Sequence, residues 1–376
     1  MLHVKQVFMR FFEVSSKRTE KAGEQTERAP LMRDIAEAAK VSMATVDRVL
    51  NRRKGVKART VERVLKAALD LGYMNDAEHA HLLHPRPPNI AFLLPMGGNP
   101  YLRLLGEKLK DHARSKSRDE AQVRCYFIDS FDAVALADAI RHHAGWADGI
   151  AFLAIDHPLV REAVEEVSVA GRRLVTIVSD LQHPGREAYI GLDNQTAGRT
   201  AAYLLGRFCR AESGSVALVA GSRNYRTHAE RQMGFLGLLD EMYPNLHIVG
   251  MREGHDDRDE NYRHTISLLE QNPDLVGIYN AGGSSDGIAR ALREKDRADA
   301  VVFIGHGLTS DTRRLLIEGA MDAVINSDPD AIIKTAIARL TSPADTPGQP
   351  GALSPPIKMD IIFRENIPQA SELARA

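Results

Sequence analysis

Between residues 32 and 71, apolar side chains recur every three or four positions in three short runs, at 32–39, 43–50 and about 59–71, with Gly72 placed to end the last. This spacing predicts three short amphipathic helices forming a compact module. From Asn89 the texture changes to apolar stretches of strand length separated by longer helical ones. Strands are predicted at 90–94, 123–128, 149–154, 174–178, 188–190, 215–219, 247–251, 277–279, 301–304 and 323–325, with a last one at 361–365. Such alternation implies parallel sheets flanked by helices. Between the two regions, residues 75–88 hold three histidines and end in Pro85, Pro87 and Pro88, which stop a helix and stiffen the chain, so this stretch reads as a linker. Residues 15–30 are polar and too poor in apolar groups to fold alone, and 1–30 as a whole is expected to be a disordered leader.

Composition narrows the class without choosing a function. Hydrophobic residues make up 44% and charged residues 26% of 376, which suits a small domain plus a larger two-lobed one. No run approaches the roughly 20 apolar residues of a membrane span, and Lys5, Arg10 and Glu13 interrupt the patchy start where a secretory signal would need an apolar core. The two cysteines, Cys125 and Cys209, lie far apart, which fits a reducing cytoplasm and neither a disulfide framework nor a zinc site.

The net charge of -1 conceals a basic block. Arg48, Arg52, Arg53, Lys54, Lys57, Arg59, Arg63 and Lys66 are opposed within their stretch only by Glu62. Such a block suits phosphates, or equally a solvated charged face. It adjoins the segment 34–51, in which Ile35, Ala39, Val41, Val46, Val49 and Leu50 can close one core between two helices, and Ser42 sits where an N-cap would accept backbone N–H groups. Met43, Ala44, Thr45, Asp47 and Arg48 are left facing outward on the second helix, the one a helix-turn-helix lays in the major groove.

This segment, continued by Gly55-Val56 and by Val64-Leu65 through Leu71-Gly72-Tyr73, resembles the DNA-binding domain of the lac-repressor (LacI/GalR) family. The resemblance implies base contacts from Met43, Ala44 and Arg48, and phosphate contacts from Thr45, Asn51, Arg53 and Lys57. Arg48 can pair bidentately with guanine, whereas Met43 and Ala44 offer apolar contact only. Asp47 stands where many relatives carry a serine; orienting Arg48 is its expected role, with a cytosine amino group as the alternative. The family hinge, a Pro-Asn pair followed by a short helix with a minor-groove leucine, is matched only in part: the register that supplies a leucine places the wedge on Leu82, and the other places it on His81. A linker that never folds into a helix is the alternative.

Residues 89–376 resemble the type I periplasmic-binding-protein domain that this family uses for its effector. The resemblance implies two Rossmann-like lobes joined by three crossovers, with a ligand at the carboxyl ends of the strands. The first lobe is placed at about 89–193 and 301–326, and the second at about 194–300 and 327–368. Gly97-Gly98-Asn99-Pro100-Tyr101 is similar to the Asn-Pro-aromatic loop of ribose-type binders, implying that Asn99 bonds a hydroxyl and Tyr101 stacks on a sugar. Ser179-Asp180 occupies the place of an acidic ligand residue, and Arg231 matches the arginine that reaches across the cleft. Asn280 and Asp286, in the loop 280–286, are further candidates. So are His306, where relatives place an aromatic or acidic residue, and Ser327, where they place an amide.

The chain is thus expected to comprise a leader (1–30), an all-α helix-turn-helix domain (31–75), a hinge (76–88) and an α/β sensor (89–376). The function expected is a cytoplasmic, homodimeric transcription regulator, most simply a repressor, that binds a palindromic operator in double-stranded DNA and answers to a sugar, polyol or related metabolite. A ligand-dependent activator, or a repressor needing a corepressor, is the alternative within that class. A transporter's solute-binding protein would leave the helix-turn-helix unexplained. An enzyme would need a nucleophile or metal cluster that Asp156-His157 and His255-Asp256-Asp257 do not supply by spacing. No cofactor or metal is expected.

Overall fold

The computed structural model describes residues 30–51, 53, 55–83, 86–115, 121–342 and 356–368. The expected leader, and Arg52 and Lys54 of the basic block, lie outside them, as does the side chain of His81. The chain divides into two compact units, Met1–Pro85 and Arg86–Ala376.

In the first unit, helices α1 (Met32–Ala38), α2 (Met43–Leu50) and α3 (Ala58–Asp70) appear where the apolar spacing predicts them. Their inward faces meet in a core of Ile35, Ala39, Val46, Val49, Val64, Leu65 and Ala68. Ser42 caps α2: its hydroxyl accepts from the Thr45 N–H at 3.2 Å and lies 2.9 Å from Thr45 Oγ1. Ser42→Ala should destabilise this unit by about 1 kcal/mol, read as an earlier thermal transition of the head in the full chain.

The supposed linker is partly helical. Helix α4 (Asp76–Leu83) opens on a reciprocal cap in which Glu78 N–H donates to Asn75 Oδ1 and Asn75 N–H to Glu78 Oε2, each at 2.9 Å. Leu82 and Leu83 pack against the head core. Of the two expectations for the hinge at 76–88, the short helix is the one present, over eight residues with an apolar contact to hold them, and the alternative of a linker that never folds is corrected. Arg86 belongs to the second unit, where it grips Asp148 through two bonds of 2.8 Å.

The second unit holds two sheets. The first has the order β2-β1-β3-β4-β5, formed by β1 (Asn89–Met96), β2 (Gln122–Asp129), β3 (Gly149–Phe152), β4 (Arg173–Ile177) and β5 (Ala188–Ile190), all parallel. The second has the order β11-β10-β9-β8-β6-β7, from β6 (Gly214–Ala220), β7 (Leu246–Glu253), β8 (Leu275–Asn280), β9 (Val302–His306), β10 (Ala323–Ser327) and β11 (Met359–Ile362). Only β11 runs antiparallel to its neighbour. Central strands such as β1 and β6 are apolar on both faces because helices cover both, while the edge strand β2 alternates between buried Val123 and exposed Arg124.

Intervening helices are α5 (Pro100–Ser115), α6 (Ala133–Ala144), α7 (Pro158–Val169), α8 (Asn194–Phe208), α9 (Arg226–Met242), α10 (Arg258–Gln271), α11 (Ser285–Glu294), α12 (Ser310–Ile317) and α13 (Pro329–Thr341). The lobe boundaries differ from expectation. Residues 301–326 pair within the second sheet, since β9 bonds to both β8 and β10. It is α13 that returns to the first lobe: Ile332, Ile333, Ala336 and Leu340 join the core of Ile90 and Val175, and Arg173 Nη1 donates to the Leu340 carbonyl at 2.9 Å. The chain crosses at 190–194, at 327–329 and again before β11. The last strand also shifts, because Arg364–Asn366 form a 3₁₀ turn where strand 361–365 is expected to continue.

Candidate functional site

Parallel strands put their carboxyl ends, and the N-termini of the following helices, along one edge of each lobe, and these edges face each other across a cavity. The first lobe lines it with Tyr101, Leu102, Leu153 and Val178, and the second with Thr227, His228, Arg231, Asp256, His306 and Ser327 among others.

Arg231 is placed by glycines. Any side chain at Gly198 would strike the Arg231 carbonyl, and any at Gly234 the Gln195 carbonyl, so α8 and α9 touch backbone to backbone. This close approach brings Arg231 Nε to 3.0 Å from Asn194 Oδ1, while Nη1 donates to the Ala281 carbonyl at 2.8 Å. Arg231 is 8% exposed, and among the described residues no carboxylate lies within ion-pair distance of it. Burial draws its pKa below the ordinary arginine value.

Asn194 is the node that holds this arginine. Its Oδ1 also accepts from Thr227 Oγ1 at 2.8 Å, and its Nδ2 donates to the Tyr189 hydroxyl at 2.9 Å. That hydroxyl lies 3.0 Å from the carbonyls of both Val178 and Leu192. A polar chain thus runs from the cleft arginine through the first crossover to the opposite wall.

Val178, rather than Ser179 or Asp180, faces the cleft. It sits at φ 62°, a strained conformation for a β-branched residue, in a tight turn closed by Ser179 N–H to the Ile177 carbonyl at 2.6 Å. The turn directs Val178 outward and buries its neighbours. Ser179 is fully enclosed, and Asp180 bonds Thr176 Oγ1 at 2.6 Å and Arg186 at 2.7 Å within the first lobe. The one-residue ambiguity in the sequence resolves to a position that carries no polar group.

Asn99 and Tyr101 reach the cleft, but their polar atoms bind protein. Asn99 Oδ1 starts α5 by accepting from the Tyr101 N–H at 3.0 Å, and its Nδ2 crosses to Asp256 Oδ2 at 2.9 Å. Tyr101 bonds Ser327 Oγ at 2.8 Å and its carbonyl at 3.0 Å, so those two residues also bridge the lobes. Asn280 is wholly buried and shapes its loop, donating to the Gly283 carbonyl at 2.9 Å and Ser285 Oγ at 3.0 Å. Asp286 pairs with Arg258 and is not part of the cleft lining.

Asp256 is the residue that the sequence reading missed. It is 5% exposed, lies in the cleft and accepts from Gly283 N–H at 2.6 Å. The signal was positional: it follows β7 as Asn99 follows β1. Asp156 and His157 are peripheral, the first paired with Arg161 and the second capping α7 at Leu159 N–H. Among the described residues no cluster of histidine, cysteine or acidic side chains is arranged for a metal, and no helix is long and apolar enough to cross a membrane.

His228 and His306 are buried in the same cleft. His306 Nε2 meets the Tyr279 hydroxyl at 2.7 Å while Nδ1 has no partner, and His228 Nδ1 lies 2.7 Å from the Ser222 carbonyl. Burial lowers both pKa values, that of His306 far below the usual range, so each holds a proton less readily in the folded chain than in the unfolded one. The unfolded chain then binds more protons than the folded one below about pH 6.5. Their contribution to stability is complete above that pH and is lost as pH falls from it toward the folded values. The melting temperature should drop between pH 7.5 and 5.5, and less so in His306→Gln; an equal drop in both proteins would remove His306 from the cause.

On the head, Met43 is 56% exposed and Ala44 and Arg48 are exposed with it on one face of α2. Asn51, Arg53 and Lys57 follow at its end and at the start of α3, all exposed, and Thr45 is half-buried beside Ser42. Asp47 does not orient Arg48. It accepts from Asn51 Nδ2 at 2.7 Å and pairs with Arg53 Nη1 at 2.9 Å, because these lie beyond it on the same side.

A two-lobed receptor with its cleft at the strand ends, on one chain with an exposed recognition helix, defines a ligand-responsive DNA-binding protein. Over residues 90–342 the chain matches the family described as periplasmic binding protein domain, and over 31–76 bacterial regulatory proteins of the lacI family. It belongs to the periplasmic-binding-protein family, here joined to a DNA-binding region of the lacI type, and it is a transcription regulator. It is 26% identical over 260 residues to the ribose operon repressor of Halalkalibacterium halodurans, covering 69% of this chain and 72% of that protein. With catabolite control protein A of Streptococcus mutans it shares 26% identity over 59% of each chain. Its fold is similar to that of GanP, a glucose-galactose binding protein from Geobacillus stearothermophilus, with TM-score 0.66 and 20% identity over 75% of this chain and 99% of that one.

Proposed function

We propose that the protein is a cytoplasmic repressor whose hold on a palindromic operator, gripped by two copies of the chain, is set by a monosaccharide or related polar metabolite in the cleft. The observation that carries this reading is the coexistence of the buried Arg231, whose Nη2 has no hydrogen-bond partner among the described residues, with an exposed recognition helix on the same chain. The named relatives include a ribose operon repressor, and a glucose-galactose binding protein shares the fold. Met43, Ala44 and Arg48 read bases, and Thr45, Asn51, Arg53 and Lys57 hold phosphates, with Asp47 fixing Asn51 and Arg53.

Leu82 serves as the minor-groove wedge only after leaving the head core, so the reading includes release of α4 on operator binding. In the sensor, Arg231 is the ligand's main polar anchor, with His306 and Ser327 beside it and Asn99 and Tyr101 closing the mouth. Ligand alters lobe closure, and the two heads of the dimer lose register with their half-sites. The test is a thermal-shift screen of the full chain against ribose, arabinose, allose, glucose and galactose, followed by binding to an operator selected from random DNA. A stabilising sugar that also changes operator affinity supports the reading; a sugar that stabilises without touching DNA affinity overturns the coupling.

A further inference from the structure

We propose that Val178 selects an effector with a methyl or deoxy carbon on the side facing the first lobe, so that the sensor takes a deoxy sugar in preference to its fully hydroxylated counterpart. This rests on the sugar reading above and narrows it. The first lobe lines the cleft with Leu102, Leu153 and Val178, none of which carries a hydrogen-bonding side chain. Their polar neighbours are engaged with protein: Asn99 has its oxygen on the Tyr101 N–H and its amide on Asp256, and Tyr101 has its hydroxyl on the Ser327 carbonyl.

The backbone of this wall is engaged as well. Val178 N–H donates to the Ile190 carbonyl at 3.1 Å, the Val178 carbonyl accepts from the Tyr189 hydroxyl at 3.0 Å, and Leu153 N–H reaches the Leu93 carbonyl at 3.2 Å. A ligand hydroxyl pressed against such a surface gives up its water and finds no partner, a cost that a methyl group does not carry. The opposite wall differs. Arg231, Asp256 and His306 come from the second lobe, and the buried His306 leaves its Nδ1 without a partner among the described residues. The ligand's hydroxyls therefore face the second lobe, and the carbon that lacks one faces the first.

Valine at this position works against its own backbone. At φ 62° a β-branched side chain is strained where asparagine or glycine would sit at little cost, and the three-residue turn from Ile177 to Ser179 is of the rare, strained kind. Strain of this sort persists where the surroundings over-determine it, and it gathers at ligand clamps. An asparagine would relax the turn and give the wall a hydrogen-bonding group. The chain instead presents the apolar side chain that this backbone favours least.

The experiment is calorimetric titration of the full chain with pairs of sugars that differ by one oxygen: D-fucose against D-galactose, L-rhamnose against L-mannose, and 2-deoxy-D-ribose against D-ribose. The expected result is that the deoxy member of at least one pair binds roughly ten- to a hundredfold more tightly than its partner. Val178→Asn supplies the second measurement. Asparagine tolerates the left-handed backbone, so the unliganded variant should melt no lower than the parent, and its preference within that pair should fall to within about threefold or reverse. Preferences below tenfold in every pair that binds would overturn the apolar contact and leave the sugar reading standing. A preference unchanged in folded Val178→Asn would overturn Val178 as its source. Binding by no member of any pair would overturn the monosaccharide reading and this narrowing of it together. The parent chain's pairs decide by themselves should the variant not fold.

Discussion

Arg231→Ala should bind effector at least about a hundredfold more weakly while melting, without ligand, within a few degrees of the parent protein. Removing one side of a buried, hydrogen-bonded charge contact costs about 2–5 kcal/mol of affinity. The unliganded fold gives up little, because among the described residues the guanidinium bonds only the Asn194 oxygen and the Ala281 carbonyl, and its desolvation opposes folding. Isothermal titration paired with calorimetric melting separates the two effects. A large fall in melting temperature together with unchanged ligand affinity would make Arg231 a structural residue.

On the DNA side, Arg48→Ala should weaken binding to the selected operator by about 1–3 kcal/mol and relax the preference at one base pair in each half-site. Lys57→Ala should instead lower affinity for all sequences alike and reduce the slope of log affinity against log salt by about one. Competition binding across single-base operator variants at two salt concentrations distinguishes them. If Arg48→Ala loses affinity uniformly, with no change in base preference, Arg48 contacts phosphate and the reading face lies elsewhere on α2.

How much was legible beforehand follows from which signals are local. The caps, the apolar spacing of α1 to α3 and the strand-length runs depend on near neighbours, and Ser42, Val46 and β1 fall where they were expected. Sheet membership of β9 and β10 depends on partners nineteen or more residues away, and the alternating texture reads identically whichever sheet a strand joins. The cleft divides in the same manner. Arg231 is recognisable by its motif, whereas the exchange of Val178 for Ser179 turns on a single backbone angle. Asp256 was hidden by the ordinary look of a charged loop, and Asn194 by sharing its segment with a crossover. Asp47 was read through Arg48, its neighbour in sequence, although the side chain meets residues four and six positions on.

The return of α13 to the first lobe bears on how the protein emerges from the ribosome. Strands β3 and β4 are made early, yet Gly149 and Arg173 find Leu340 only when nearly the whole chain has been synthesised. The head, whose contacts all lie within about fifty residues, can fold long before that. During the interval the nascent first lobe has one face of its sheet covered only in part, by Leu105 and Leu109 of α5, and the side of Val175 toward α13 stays open to water. A chain truncated before Pro329 should therefore keep a folded head on an aggregation-prone sensor, so premature termination yields an insoluble product rather than a free DNA-binding fragment.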